Sequence, residues 1–236
     1  MKAAVVIPTY NERENIGLLI EEILGLGIDV QIIVVDDNSP DGTGDLLDAI
    51  VSHSSAVHVI HRPGKLGLGT AHIAGFRQAL QMDQVGVILS MDADFSHHPR
   101  YIPALITAAQ EKDIVIGSRY VPGGGSVACG FNRTVLSRGA NAFARVVLGL
   151  RAHDCTAGFR CYRRYVLESA PLDCIFSNGY SFLIEMLYRC QQLGYSVGEV
   201  PIVFENRQRG SSKISKTEIV RATYTVLRLA PTRVFK

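Results

Sequence analysis

Residues 85–99 read VGVILSMDADFSHHP. The first seven, Val85 to Met91, are apolar enough for a strand buried on both faces. They run straight into Asp92 and Asp94, two carboxylates one residue apart. On an extended segment such side chains point to opposite sides, but where the strand gives out and the chain turns, both can reach one cation or its waters. Hard divalent cations take such oxygen ligands, and Mg²⁺ is commonly held by one or two carboxylates plus substrate phosphates. An isolated Asp-x-Asp is more often a pair of solvated turn aspartates. The buried-type strand before it, and the other segments that converge on it, favour a site.

Working outward, Ala3–Ile7, Gln31–Val35, Val57–Ile60 and Ile114–Ile116 repeat the strand signal, with helical patterns starting near Asn11, Gly42, Gly69 and Pro99. This alternation predicts an α/β fold with a mainly parallel central sheet flanked by helices. Ligands of such sheets gather beyond the carboxyl ends of the strands. Pro8 to Glu12, Asp36-Asp37, Asp92 to Asp94 and Gly117 to Arg119 all fall there. After Tyr120 the stretch Val121–Ser126 shows no periodicity. A helix is expected from Arg133 to Leu148, a short strand near Gly158–Tyr162, a helix over Ser181–Leu193, a strand over Ser196–Phe204 and a last helix over 216–229. With no internal repeat and no separating linker, 1–236 is expected to form one domain. Within it, 121–132 is a flexible loop and 205–236 a basic C-terminal segment.

The net charge of +2 argues against a nucleic-acid partner. From Arg207 onward there are eight basic residues and one acid, which leaves the remainder net acidic. Five cysteines (Cys129, Cys155, Cys161, Cys174, Cys190), odd in number and without Cys-x-x-Cys spacing, predict neither a zinc site nor a disulfide framework, and fit a reducing compartment. The apolar run at the N-terminus is too short for a signal peptide, and no stretch approaches the ~18 uninterrupted apolar residues of a spanning helix. Lys65–Gly69 lacks the Gly-Lys-Ser/Thr ending of an ATPase phosphate loop.

PTYNEREN (8–15), VVDDNSPDGT (34–43), KLGLGT (65–70), MDADFSHHP (91–99), GSRY (117–120) and SRGAN (137–141) occur in that order. They continue through DCTAGFR (154–160), GEVP (198–201) and RQRGSSK (207–213). This ordered set resembles the dolichyl-phosphate mannose synthases, within the GT-A-fold family 2 glycosyltransferases, over nearly the whole chain. The resemblance implies a nucleotide-diphospho-sugar transferase fold. It also implies inverting transfer of mannose from GDP-mannose to a polyprenyl (dolichyl) phosphate, with Mg²⁺ or Mn²⁺ as cofactor. Pro8, Tyr10, Glu12, Val35 and Asp37 match the nucleoside-binding positions, and Asp92, Ala93 and Asp94 the metal-diphosphate motif, with Asp92 and Asp94 as metal ligands. Arg119, Arg207 and Lys213 match phosphate-holding positions. Asp94 and Arg119 are the residues expected to carry catalysis. The loop from Arg207 to Lys213, rich in glycine and serine, is expected to close over the donor.

Some relatives carry Gln where this chain has Ser96, a weaker oxygen donor, so a water is expected to complete the metal shell there. His97 and His98 read as the lead into a helix at Pro99 rather than as metal ligands. A phosphate monoester has a second pKa of about 6 and is already an anionic nucleophile at neutral pH. The acceptor therefore demands positioning and charge compensation rather than a general base. Arg133 and Arg138, with Arg119, are the candidates for its phosphate, against a solvated basic helix face. Asp154 and Glu185 read equally as contacts to mannose or as capping and ion-pairing groups.

For a lipid acceptor, Val127 and Phe131 of the loop 121–132 are insertable side chains. In the last helix Arg221 and Arg228 are expected to share a face with Thr225, opposite Ile219, Val226 and Leu229. That pattern suits an interfacial helix and, equally, a core-packed one with a basic outer face. Many relatives carry spanning helices beyond this domain. This chain is therefore expected to sit peripherally on the cytoplasmic face of a membrane, directly or through a membrane-anchoring partner subunit. Two alternatives remain: transfer of glucose or another sugar from a UDP-sugar, and a protein that binds nucleotide-sugar or lipid phosphate without turnover.

Overall fold

In the first strand, β1 (Lys2–Thr9), the apolar side chains alternate between two cores: Ala4 and Val6 pack on one face, Ala3, Val5 and Ile7 on the other. A strand this apolar belongs at the centre of a covered sheet. It lies there, parallel to β2 (Val30–Asp36) on one side and to β4 (Val85–Ser90) on the other. The structure, a computed structural model, describes residues 1–127, 131–205 and 216–232, with side chains throughout these except at 131–133 and 216–219.

The sheet is completed by β3 (Val57–His61), β5 (Ile114–Ser118), β7 (Arg160–Arg163) and β8 (Val197–Pro201), in the order β3-β2-β1-β4-β7-β5-β8. All its pairings are parallel except those of β7, which runs antiparallel between β4 and β5. A short two-stranded sheet joins β6 (Gly125–Val127) to β9 (Val203–Glu205). Helices α1 (Arg13–Leu24), α2 (Thr43–Val51) and α4 (Ile102–Ala108) cover one face. The other carries α3 (Leu68–Leu80), α5 (Phe131–Leu148), α6 (Arg164–Ser169), α7 (Ser181–Gln192) and α8 (Lys216–Leu229). Helix α1 shows why the elements form: Ile16, Leu19, Ile20 and Ile23 recur at helical spacing and are all buried. Each contributes roughly 1.5–3 kcal/mol by leaving water. Helix α3 approaches the sheet so closely that a Cβ at Gly75 would stand 2.3 Å from Val6 Cγ1.

The α/β architecture expected from the sequence is the one observed, with three local differences. The strand expected over Ser196–Phe204 is two strands, broken at Ile202, whose side chain turns into the core while its carbonyl accepts from Gly125. The loop expected over 121–132 includes β6, and its end at residues 131 and 132 belongs to α5. In α8, Thr225 does not join Arg221 and Arg228 on an outer face. It is buried beside Val226 and Leu229, which pack against α7, while Val220, Tyr224 and Leu227 are exposed with Arg221. The helix is thus docked by one face and apolar as well as basic on the other. Among the described residues no helix is long and apolar enough to cross a membrane.

Candidate active site

The carboxyl ends of β1, β2, β4 and β5 open on one rim, and the turns there are tight. Asn11, Asn38 and Phe95, all non-glycine residues, adopt left-handed backbone angles with φ of 59°, 57° and 60°. That conformation costs an L-residue roughly 1–2 kcal/mol, and each of the three follows a strand end within the motifs singled out by sequence. Hydrogen bonds hold the first two turns together. Ser39 accepts from Asn11 N at 3.0 Å, Thr43 Oγ1 from Glu12 N at 3.1 Å, and Asp41 Oδ2 from Arg13 N at 3.2 Å.

Beyond β4, Asp94 is buried and Asp92 has a quarter of its side chain exposed. Ser96 donates through both N (3.1 Å) and Oγ (2.6 Å) to Asp94 Oδ1. Ser96 therefore orients Asp94, a role distinct from the water-assisted ligand position expected for it. His98 behaves as the sequence predicted: its Nδ1 accepts from Arg100 N at the head of a short 3₁₀ turn led by Pro99. His97 does not. It is buried, stacked on Phe159 with centroids 5.2 Å apart and edge-on to Phe204 at 5.8 Å. Its Nδ1 accepts the backbone N–H of Asp92 at 3.0 Å. A ring nitrogen that accepts carries no proton, so the neutral imidazole has its proton on Nε2. A Cβ at Gly158 would lie within 3.4 Å of His97 and 3.5 Å of Asp92. The loop after Asp154 thus lies directly against this pair, at ordinary packing distance.

After β5, Arg119 meets Asp154 side-on: Nε to Oδ2 and Nη2 to Oδ1, both at 2.7 Å, with a further bond from Nη2 to Thr156 Oγ1 at 3.0 Å. Planar forks of this kind fix both groups. Asp154 is wholly buried in this pair, and Glu185, equally buried, binds Arg189 at 2.6 Å and the backbone N–H groups of Phe176 and Ser177. Of the two readings open for these acids, ion pairing is what the structure has. Asn141 Oδ1 accepts from Cys155 N at 2.6 Å and its amide donates to Thr156, tying α5 to the same loop.

Asp92, Asp94, Arg119 and Tyr120 line one cavity of about 530 Å³ that extends between α5 and α8, past Phe143 and Val226. Pro8, Tyr10, Glu12, Val35 and Asp37 stand on the neighbouring strand ends, outside its walls. Lys65 Nζ lies 4.0 Å above the Tyr10 ring. Glu12 accepts from Asn15 at 2.9 Å and caps α1 with its carbonyl. Val35 is fully buried, leaving its main chain as what it can offer a ligand, and Ala93 is buried in the core on the other face of the sheet. Asp37 pairs with Arg62 Nε at 2.6 Å, both nearly sealed from water. Burial pushes the Asp37 carboxyl above its ordinary range, and the Arg62 guanidinium and the Gly67 N–H offset this only in part. Arg138 is exposed on α5, its guanidinium 5.7 Å from the Tyr120 ring centre. Arg133 lies in the first turns of α5 with its side chain outside the described residues, and Arg207 and Lys213 fall outside them altogether.

The donor set at Asp92 and Asp94 fits a hard divalent cation that takes the rest of its shell from a diphosphate: two carboxylates on a cavity wall. Among the described residues no group of three His, Cys, Asp or Glu gathers into a self-sufficient metal cage.

Residues 4–170 match the model of glycosyl transferase family 2, and the chain belongs to that family. A polyprenol monophosphomannose synthase of Mycolicibacterium smegmatis is 45% identical over 227 residues, 95% of this chain and 85% of that protein. An undecaprenyl-phosphate mannosyltransferase of Micrococcus luteus is 42% identical over 228 residues, 97% of this chain and 93% of its own length. Among solved structures, glucosyl-3-phosphoglycerate synthase from Mycobacterium tuberculosis with UDP superposes with a TM-score of 0.67 at 23% identity, covering 98% of this chain and 80% of that one. The same enzyme with Mn²⁺, UDP and glucosyl-3-phosphoglycerate gives 0.66 over 98% and 79%. At that identity the likeness establishes the fold, and the GT-A arrangement expected from the sequence is the one found.

Proposed function

We propose that this protein transfers mannose from GDP-mannose to a polyprenyl monophosphate, with inversion, at the cytoplasmic surface of a membrane. The observation that carries this reading is the shape of the main cavity. Its polar end holds Asp92, Asp94 and Arg119, and its apolar length runs between α5 and α8, a fit for an anionic head on an isoprenoid tail. Two relatives at 45% and 42% identity are named for mannose transfer to lipids of this class. Val135, Leu136 and Phe143, which line that cavity from α5, and Val220, Tyr224 and Leu227 on α8 are exposed apolar side chains, as an approach through a bilayer surface requires.

In this reading Tyr10, Glu12 and Asp37, with Pro8 and the main chain of Val35, receive the nucleoside. Arg62, 2.6 Å from Asp37, aims its carboxyl group. Asp92 and Asp94 would hold Mg²⁺ or Mn²⁺, and that cation would supply charge neutralisation of the leaving diphosphate. Ser96 fixes Asp94 and His97 fixes the Asp92 peptide, so the carboxylates meet the donor without reorganising. Arg119, clamped by Asp154, presents its guanidinium to phosphate at the cavity wall. Arg207 and Lys213 bind the donor phosphates. Arg133 draws the acceptor phosphate in from the α5 side, while Arg138 stands back from the reacting centre and lines a neighbouring cavity. An oxygen of that phosphate forms the new bond to the anomeric carbon from the face opposite the diphosphate. The bond from that carbon to the diphosphate breaks, and GDP departs. No side chain has to remove a proton, because the acceptor arrives ionised.

The test is chelation combined with substitution. Excess EDTA abolishes transfer and added Mg²⁺ or Mn²⁺ restores it, while Asp94→Asn loses at least a hundredfold in kcat without unfolding. GDP competes with the donor better than UDP does. Full turnover in EDTA, or stronger competition by UDP, removes the metal or the guanine part of the proposal respectively.

A further inference from the structure

A second cavity, of about 240 Å³, lies on the outer side of α5, lined by Tyr120, Arg138, Asn141, Ala142, Arg145 and His153. Tyr120 lines both cavities and separates them, its hydroxyl donating to Ser137 at 2.7 Å on the side of the larger one. Arg138 and Arg145 are seven residues apart, two turns of helix, and so share a face. Neither has a carboxylate partner among the described residues, and Arg145 Nε is shut off from water with no hydrogen-bond acceptor there. A buried guanidinium N–H without an acceptor costs roughly 1–3 kcal/mol. With no carboxylate on either guanidinium, the cavity wall that the two arginines share is left to an acceptor from outside the chain.

The other polar groups of this cavity are committed. The Asn141 amide is used by Ser137, Thr156 and Cys155, and His153 Nδ1 is 2.8 Å from the Glu199 carboxylate. Two guanidinia and the far edge of an imidazole remain to receive a tetrahedral anion, and planar forks are the usual means of holding phosphate.

The helix says where that phosphate resides. Residues 131–148, FNRTVLSRGANAFARVVL, contain three arginines and no acid. Among the exposed side chains of α5 are Val135, Leu136, Phe143 and Val146, the last three-quarters accessible and next to Arg145. Apolar side chains at the surface with arginines among them are the pattern of a helix lying in a lipid interface, its cations at headgroup level. We propose that this cavity is a second phosphate-binding site, separate from the reacting centre, that takes the headgroup phosphate of an anionic membrane phospholipid. It seats the protein with the mouth of the larger cavity against the bilayer.

Vesicle co-sedimentation tests this without turnover, so its result is independent of the transferase reading. The full chain is titrated with phosphatidylcholine vesicles and with vesicles containing phosphatidylglycerol. Arg145→Gln weakens binding to the anionic vesicles about fivefold, the worth of one basic residue at such a surface, and leaves phosphatidylcholine binding unchanged. Arg145→Lys, which keeps the charge and loses the Nε donor, falls between. Lys112→Gln removes an equal charge at the opposite end of β5 and has a smaller effect. Parent-like binding by Arg145→Gln, or an equal loss in Lys112→Gln, overturns the site. Calorimetry with inorganic phosphate is the second arm. Saturable binding that depends on Arg145 while vesicle binding does not would assign the cavity to free phosphate and overturn the lipid source.

Discussion

His97 accepts the peptide N–H of Asp92 from inside an aromatic sandwich, and its worth can be read by replacing the acceptor alone. His97→Ala leaves that N–H without its partner, a loss of about 1–2 kcal/mol at the carboxylate loop, and lowers kcat/KM for the donor roughly tenfold. Asn places an oxygen where Nδ1 stood, so His97→Asn recovers most of it, with the near-UV spectrum unchanged in both. Equal activity in the parent and in His97→Ala would mean that Asp92 is held by the turn alone. The sequence displayed this loop as a carboxylate pair before a helix-leading His-His-Pro, and that was right for His98. It gave no sign that His97 turns inward, because what decides its direction is the ring pair Phe159 and Phe204, distant in sequence. Asp154 is a similar case: the motif marked it, but only the fold shows its carboxylate locked on Arg119.

Among the elements, α3 and β7 carry the tightest constraints. In an open helix Gly75→Ala would stabilise by up to ~1 kcal/mol. Here the added methyl meets Val6 and Val35, so the substitution lowers stability by about 1–3 kcal/mol, seen as a reduced urea midpoint with unchanged slope. Arg160, on β7, is fully buried and donates to the carbonyls of Ala157, Cys155 and Leu183 at 2.7–2.8 Å. Arg160→Leu strands three acceptors and costs about 3 kcal/mol or more; a variant with parent-like stability would show that water replaces the guanidinium. The sequence made the parallel strands legible because each is a continuous apolar run with a helical pattern after it. β7, expected near Gly158–Tyr162, is found at Arg160–Arg163, but its pairing, β6 and the break at Ile202 were harder to read. Strands of three or four residues have too few positions to show a period, and β7 pairs by an antiparallel return that no local signal encodes.

At the scale of the whole molecule, pH couples to stability through His72. Burial, with the Leu68 carbonyl opposing and the charges of Arg160 and His97 adding, drops its imidazole to about 4 from an ordinary 6.5. Below pH 6.5 the unfolded chain takes a proton that the folded one refuses until about pH 4, so stability falls as pH falls through that window. The loss approaches ~3 kcal/mol, and His72→Phe flattens the slope between those pH values in denaturant titrations. A parent slope unchanged by the substitution would assign the effect to other groups.

The same architecture brings a carboxylate pair, a clamped arginine and an apolar passage to one rim, and that convergence is the substance of the functional reading. Its most direct test is product formation by the purified protein, using GDP-mannose, UDP-glucose and UDP-N-acetylglucosamine, each labelled in the sugar, with a short polyprenyl phosphate and Mg²⁺. The account predicts a mild-acid-labile, organic-soluble product labelled from GDP-mannose alone. Label transferred from UDP-glucose in preference to GDP-mannose, or no labelled lipid from any donor, would contradict it.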